Sequence, residues 1–137
     1  MMDNVQTSTS NPTGEKLSPA LMQKRTRQFA CRIIKLVTAL PKNRTADVLG
    51  RQLLKAGTSI GANYREAQHA SSRRQFITTM EIAQREACET LYWLELLADS
   101  EQIAAKRLSG LMEESKALYA IITRIIQTSK SHTKTRV

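Results

Sequence analysis

The stretch SPALMQKRTRQFACRIIKLVTALP, Ser18 to Pro41, decides how the chain is read. Ser18 is a helix N-cap residue, and Pro19 takes the first helical position, where no N–H is needed. Met22, Phe29, Ile33, Leu36 and Leu40 then recur at helical spacing, with Ala30 and Val37 widening the stripe. Pro41 ends the segment. At about 100° per residue, Lys24, Arg25, Arg27, Arg32 and Lys35 are assigned to the arc opposite that stripe. The first helix is therefore read as apolar on one side and purely basic on the other.

Three more segments of this kind follow. Thr45 is the expected N-cap of helix 2, with Asp47 in its first turn, where a negative charge suits the helix dipole. Its stripe is Leu49, Leu53, Ala56, Ile60, Tyr64 and Ala67, with Arg44, Arg51, Lys55 and Arg65 opposite. Gly50, Gly57 and Gly61 form a third line. Each costs about 1 kcal/mol against alanine in a helix interior. Such a line means either that another backbone comes close or that the helix breaks near Gly57 to Gly61. The apolar period survives through Ala67, which favours a continuous helix. Ser72 to Gln75 fits a capping box and starts helix 3. Phe76, Met80, Ala83, Ala87, Thr90 and Leu94 make its stripe, and Ile82, Trp93 and Leu96 a second one. Helix 4 is expected to begin after Ser100, with Ala104, Leu108, Leu111, Leu118, Ile122 and Ile125 inward. Met112, Tyr119 and Ile126 lie beside them.

The fold class predicted is all-α: an antiparallel up-down-up-down four-helix bundle, with helices of about 22 residues and about 33 Å. Residues 1–17 are expected to be a disordered polar tail, 18–128 the bundle and 129–137 a mobile basic tail. From Leu91 to Ala98, LYWLELLA, helix 3 is apolar nearly all round. That needs more burial than three partner helices give. Tyr92, Trp93, Leu96 and Leu97 are therefore assigned to an oligomer interface.

Composition sets the outer bounds. The chain has 137 residues, 41% hydrophobic and 4% aromatic, with five glycines and three prolines, which suits one helical domain and not a turn-dense β fold. Cys31 and Cys88 form no CxxC pair and no disulfide framework, so a reducing, cytoplasmic setting is expected. Charges interrupt every apolar stretch well short of a spanning length, and the N-terminus lacks the apolar run of a secretory signal. The net charge is +9, and its placement is uneven. Residues 1–65 carry +8 and residues 66–137 only +1. Such a field favours polyanions, either nucleic acid or an anionic membrane surface, while the plainer reading, a basic face that serves solubility, stands equally open beside it.

Catalytic chemistry finds little support. Glu66 to His69 is Glu-x-x-His, half of a di-metal carboxylate arrangement, and Glu86, Glu89 and Glu113 are the further ligands that could be proposed. The second histidine is missing, because His132 lies in the tail, so a di-metal enzyme is the remote alternative. The cysteines are read as buried or idle, since no histidine lies near either in sequence. No phosphate-cradling glycine loop, serine elbow or HExxH occurs. No cofactor and no metal is expected. Asn63, Arg65, Glu66, Glu86, Glu89 and Thr90 form a polar set that a helical hairpin is expected to gather into one hydrogen-bonded network. Its expected role is to fix register or subunit contacts, because buried charges must be paired.

The stretch SIGANYREAQHASSRRQF, Ser59 to Phe76, with EIAQREACETLYWLELL, Glu81 to Leu97, resembles the four-helix-bundle family of 23S rRNA-intervening sequence proteins. The residues that carry the likeness include Ser59, Ile60, Gly61, Asn63, Glu66, Glu86, Glu89, Thr90, Tyr92, Trp93 and Leu94. The resemblance implies a bacterial homopentamer around a central channel with no established enzymatic activity. It is also similar in architecture to the accessory proteins of diversity-generating retroelements, pentamers that bind nucleic acid and a reverse transcriptase. The first expectation is a non-enzymatic oligomer that binds RNA or DNA through Lys24, Arg25, Arg27, Arg32, Lys35, Arg51 and Lys55. The alternative is an adaptor whose basic arc docks on a protein partner such as a reverse transcriptase. No membrane partner is expected.

Overall fold

The structure, a computed structural model, describes residues 17–135. Four α-helices account for nearly all of them: α1 Pro19–Thr38, α2 Arg44–Ala67, α3 Arg73–Asp99 and α4 Ala105–Thr135. No strand occurs among the described residues.

Local chemistry sets most of the helix ends. The Ser18 hydroxyl accepts from Leu21 N at 3.2 Å, and Pro19 opens α1. Ser72 caps α3 by accepting from Gln75 N, while Gln75 Oε1 accepts from Ser71 N at 2.7 Å, one residue before the cap. Helix α2 departs from expectation. Its cap is Asn43, whose side chain accepts from Ala46 N at 2.8 Å, so Thr45 lies inside the first turn. Asn43 stands two residues after Pro41, at the first position where an extended residue with a short acceptor can open the helix. Helix α4 starts at Ala105, later than expected. Glu101 adopts φ 61°, with Gln102 N donating to Leu97 O and Glu101 N to Ala98 O. This left-handed C-terminal cap usually carries glycine, and a side chain there costs about 1 kcal/mol. It turns the chain so that Ile103 is buried before α4 begins.

Helix α2 is continuous through its three glycines, and α1 lies against them. A Cβ on Gly50 would meet Leu40 at 2.9 Å, one on Gly57 would meet Ile33 at 2.9 Å, and one on Gly61 would meet Thr26 at 2.9 Å. Residue numbers fall along α1 as they rise along α2. The same holds between α3 and α4, where Arg73 Nη1 donates to Ser129 O and Gln84 Nε2 to Thr123 Oγ1. Helix α2 packs on α1 and α3, and α3 on α4, whereas α1 and α4 touch more sparsely than these.

Most of the predicted stripe residues form one core, whereas Ala104 is exposed ahead of α4 and Tyr119 is exposed on it. Met22, Phe29, Ile33, Leu53, Ile60, Tyr64, Met80, Leu94, Leu108, Leu118 and Ile122 are all fully buried. Each contributes about 1.5–3 kcal/mol of transfer free energy. The buried Thr26 and Thr90 hydroxyls donate to Met22 O and Glu86 O, so neither is left unsatisfied.

The described residues extend past both expected boundaries, 17/18 and 128/129. Leu17 is buried, and the rest of the expected N-terminal tail lies outside the described residues. Helix α4 continues to Thr135, with Ser129 buried on the stripe of Ile122 and Ile125. Arg73 on Ser129 O and Lys130 Nζ, 3.1 Å from Glu81, tie these last turns to α3.

Candidate nucleic-acid interface

The two halves of the bundle differ in charge. From Pro19 to Ala67, α1 and α2 and their connection hold ten lysines and arginines against Asp47 and Glu66. From Arg73 to His132 there are eight cations and eight carboxylates. The excess positive potential therefore belongs to the α1–α2 layer.

Of the seven predicted phosphate contacts, five are exposed and form no ion pair among the described residues: Lys24, Arg27, Arg32, Lys35 and Lys55. Arg32 reaches across to α4, where its Nη2 lies 3.2 Å from the position a Cβ on Gly110 would take.

Arg25 must be removed from the set. Its Nε lies 2.7 Å from Glu114 Oε2 and its Nη2 2.9 Å from Oε1. That hydrogen bond holds the guanidinium above its ordinary range, against the opposing effect of burial. The error was one of arc. Arg25 stands three residues after Met22 and four before Phe29, so it flanks the apolar stripe on the α4 side. Arg51 is also paired, with Asp47 one turn earlier, but both side chains are largely exposed. Such a pair is worth about 0.3–0.5 kcal/mol, so a phosphate can compete for Arg51 as it cannot for Arg25.

The α1–α2 layer carries cations that the site assignment missed. Arg65, expected in the polar set, is exposed and has no ion pair among the described residues, and with Arg27 it lines a groove between α1 and α2. Lys42 and Arg44 extend the basic surface through the α1–α2 connection. The signal that could have found them was the +8 balance of residues 1–65, which the seven named cations do not exhaust.

The predicted polar network does not form. Asn63 Nδ2 donates to Ser59 O within α2, and Glu66 is exposed. Glu89 accepts from Trp93 Nε1 at 3.0 Å and Thr90 donates to Glu86 O, both within α3. Register explains the separation. Lys55 is the α2 charge that Glu86 feels. Asn63 lies eight residues further along α2, about 12 Å from that level, against the early turns of α3. Burial, and then the Glu89 charge, push the Glu86 carboxyl up, while Lys55 and Arg85 oppose the shift.

The same register scatters the residues considered for metal binding. Glu66 and His69 are exposed near the α2–α3 turn, and Glu113 pairs with Lys116. Among the described residues, no group of three or more His, Cys, Asp or Glu could hold a metal ion. Cys31 and Cys88 are free and exposed, not buried. No described helix is long and apolar enough to cross a membrane.

Of the four residues assigned to subunit contact, Leu97 is instead a core residue. It is fully buried, three residues after Leu94 and seven after Thr90 on the inward stripe. Tyr92 is 53% exposed, Trp93 and Leu96 are half-buried, and the two rings meet edge to face at 5.1 Å. An apolar step remains on the outer side of α3.

Helix order, the α2–α3 seam and the glycine line together make a pattern that comparison can test. Residues 20–124 match the family profile described as 23S rRNA-intervening sequence protein. The chain belongs to that family. Among solved structures, it is similar to a protein of unknown function from the S23 ribosomal protein family of Bacteroides thetaiotaomicron VPI-5482. The two are 37% identical with a TM-score of 0.76, over 81% of this chain and 99% of that one. No curated protein matches.

In this 23S rRNA-intervening sequence family member, many of the residues that carry the likeness do packing work. Ile60, Ala67, Ala87 and Leu94 are buried, Gly61 receives Thr26, and Thr90 closes on its own helix. These residues lie where α2 packs against α1 and α3 packs in the core.

Proposed function

We propose that this protein is a non-catalytic, up-down-up-down four-helix module of the cytoplasm. It self-associates, as a pentamer by the resemblance given above, and binds RNA or DNA through the phosphate backbone. One observation carries the reading. Lys24, Arg27, Lys35 and Lys55 stand exposed without ion-pair partners among the described residues, on a layer that holds ten cations and two carboxylates. The layer's two aromatics, Phe29 and Tyr64, are both buried and offer no ring to stack on bases, so affinity comes from charge and sequence preference is weak.

Binding of a labelled single strand, followed by anisotropy, tests the reading. Each phosphate contact contributes about −0.7 to the slope of log affinity against log salt. Five contacts give a loss of about 100-fold between about 50 and 200 mM salt. Replacing Lys24, Lys35 and Lys55 together by alanine lowers the slope by about two. A protein that binds no nucleic acid at low salt does not have this function. Light scattering tests the assembly: Leu96→Asp with Tyr92→Asp reduces the particle to a monomer.

A further inference from the structure

An open groove of about 320 Å³ runs between α1 and α2. Ala30, Gly61 and Ala62 line it with small side chains, and Arg27 and Arg65 bring one guanidinium from each helix. Thr26 and Thr58 also line it, but their hydroxyls are committed to Met22 O and Leu54 O of their own helices. Gln23 adds a neutral amide to the lining, and the groove's two charged groups are both cations. Neither Arg27 nor Arg65 has a carboxylate partner among the described residues. Glu66, the acid next to Arg65 in sequence, is exposed and is not among the groove's lining residues. Guanidinium groups match phosphate oxygens through two parallel N–H donors, and their planes also stack on bases. A small-residue wall beside two such groups accepts something flat and apolar that carries an anion. In a duplex the bases remain stacked and only phosphates are offered, whereas an unpaired strand can present both parts.

We infer that the groove seats one nucleotide unit of a single-stranded nucleic acid. Its phosphate is held by Arg27 and Arg65, and its sugar or base lies against Ala30, Gly61 and Ala62. The inference rests on the polyanion reading above and narrows it: the strand crosses the α1–α2 seam at this point and does not lie anywhere on a diffuse basic face.

The test uses the full chain and a labelled oligouridylate of about 12 nucleotides at low salt. Ala62 is exposed, so Ala62→Phe fills the groove without altering charge or core. Arg27→Ala and Arg65→Ala each remove one guanidinium, and Lys24→Ala removes a charge outside the groove. Circular dichroism and sedimentation establish that each variant keeps its helices and assembly. The expected result is a loss of about tenfold for Ala62→Phe, Arg27→Ala and Arg65→Ala, against no more than about threefold for Lys24→Ala. Uridine monophosphate competes at lower concentration than inorganic phosphate. If the wild type binds but Ala62→Phe binds equally well, or both arginine variants match Lys24→Ala, the groove is not the seat and the broader reading stands. Equal competition by inorganic phosphate overturns the nucleotide assignment. A changed particle size for Ala62→Phe makes the groove a subunit contact and also overturns it. Absence of binding by the wild type defeats the polyanion reading itself.

Discussion

Arg25 of α1 and Glu114 of α4 close a two-point ion pair, at 2.7 and 2.9 Å, across a seam packed more sparsely than those of α2 with α1, α2 with α3 and α3 with α4. Their side chains are 22% and 19% exposed, so solvent screens the pair far less than it screens Arg51 with Asp47. Hydrogen bonds between charged, half-buried groups are worth more than neutral ones, and here they stand in for missing apolar contact. A double-mutant cycle of Arg25→Ala and Glu114→Ala, read by urea unfolding, yields a coupling of about 1–2 kcal/mol. The cycle at Arg51 and Asp47 yields about 0.5 kcal/mol or less.

Two helical glycines respond in opposite directions to the same change. A Cβ on Gly57 would stand 2.9 Å from Ile33 Cγ1 and 3.0 Å from Cγ2, both in a fully buried side chain. Overpacking there costs more than the roughly 1 kcal/mol of helix propensity gained, so Gly57→Ala lowers stability by about 1–2 kcal/mol. A Cβ on Gly110 would meet only the end of the Arg32 side chain, at 3.2 Å, which can move aside. Gly110→Ala therefore raises stability by about 0.5–1 kcal/mol, measurable as a higher denaturant midpoint.

Tyr64 is fully buried, and its hydroxyl has no hydrogen-bond partner among the described residues. Burial also pushes the phenol well above its ordinary range, so it stays neutral. An unsatisfied buried hydroxyl costs about 1–3 kcal/mol, whereas the ring fills the core. Tyr64→Phe is thus neutral or stabilising by up to about 1 kcal/mol, and Tyr64→Ala loses about 3–5 kcal/mol. A marked loss in the phenylalanine variant reveals a partner for the hydroxyl.

The Glu86 carboxyl is raised above its ordinary value of 4.5, mainly by burial and then by Glu89. The folded protein holds this proton more tightly than the unfolded chain does. The group's favourable contribution is complete below the unfolded value and is lost as pH rises through the raised one. Glu86→Gln therefore stabilises the protein near neutral pH and confers no advantage near pH 3. Because the carboxyl is only part-buried, the gain is small, and unfolding midpoints at the two pH values detect it.

The helices and their inward faces were legible in the sequence because their causes lie within a few residues. Ser18 and Ser72 cap through N–H groups three positions on, and apolar residues at three- and four-residue spacing define the core. The glycine line of α2 likewise announced a close neighbour. The charge imbalance between the layers was also legible, since it is a matter of counting. The fate of each individual charge was not. Arg25 is silenced by Glu114, 89 residues away in sequence. Glu86 faces Lys55 and not Asn63 or Glu66 because of the register of α2 on α3. Leu97 is covered by the protomer's own core, and the groove beside Arg27 and Arg65 exists only where α1 meets α2. Helix formation is governed by neighbours along the chain, whereas ion pairing and pocket shape depend on separations of a few ångströms between distant segments. The packing of whole helices sets those separations.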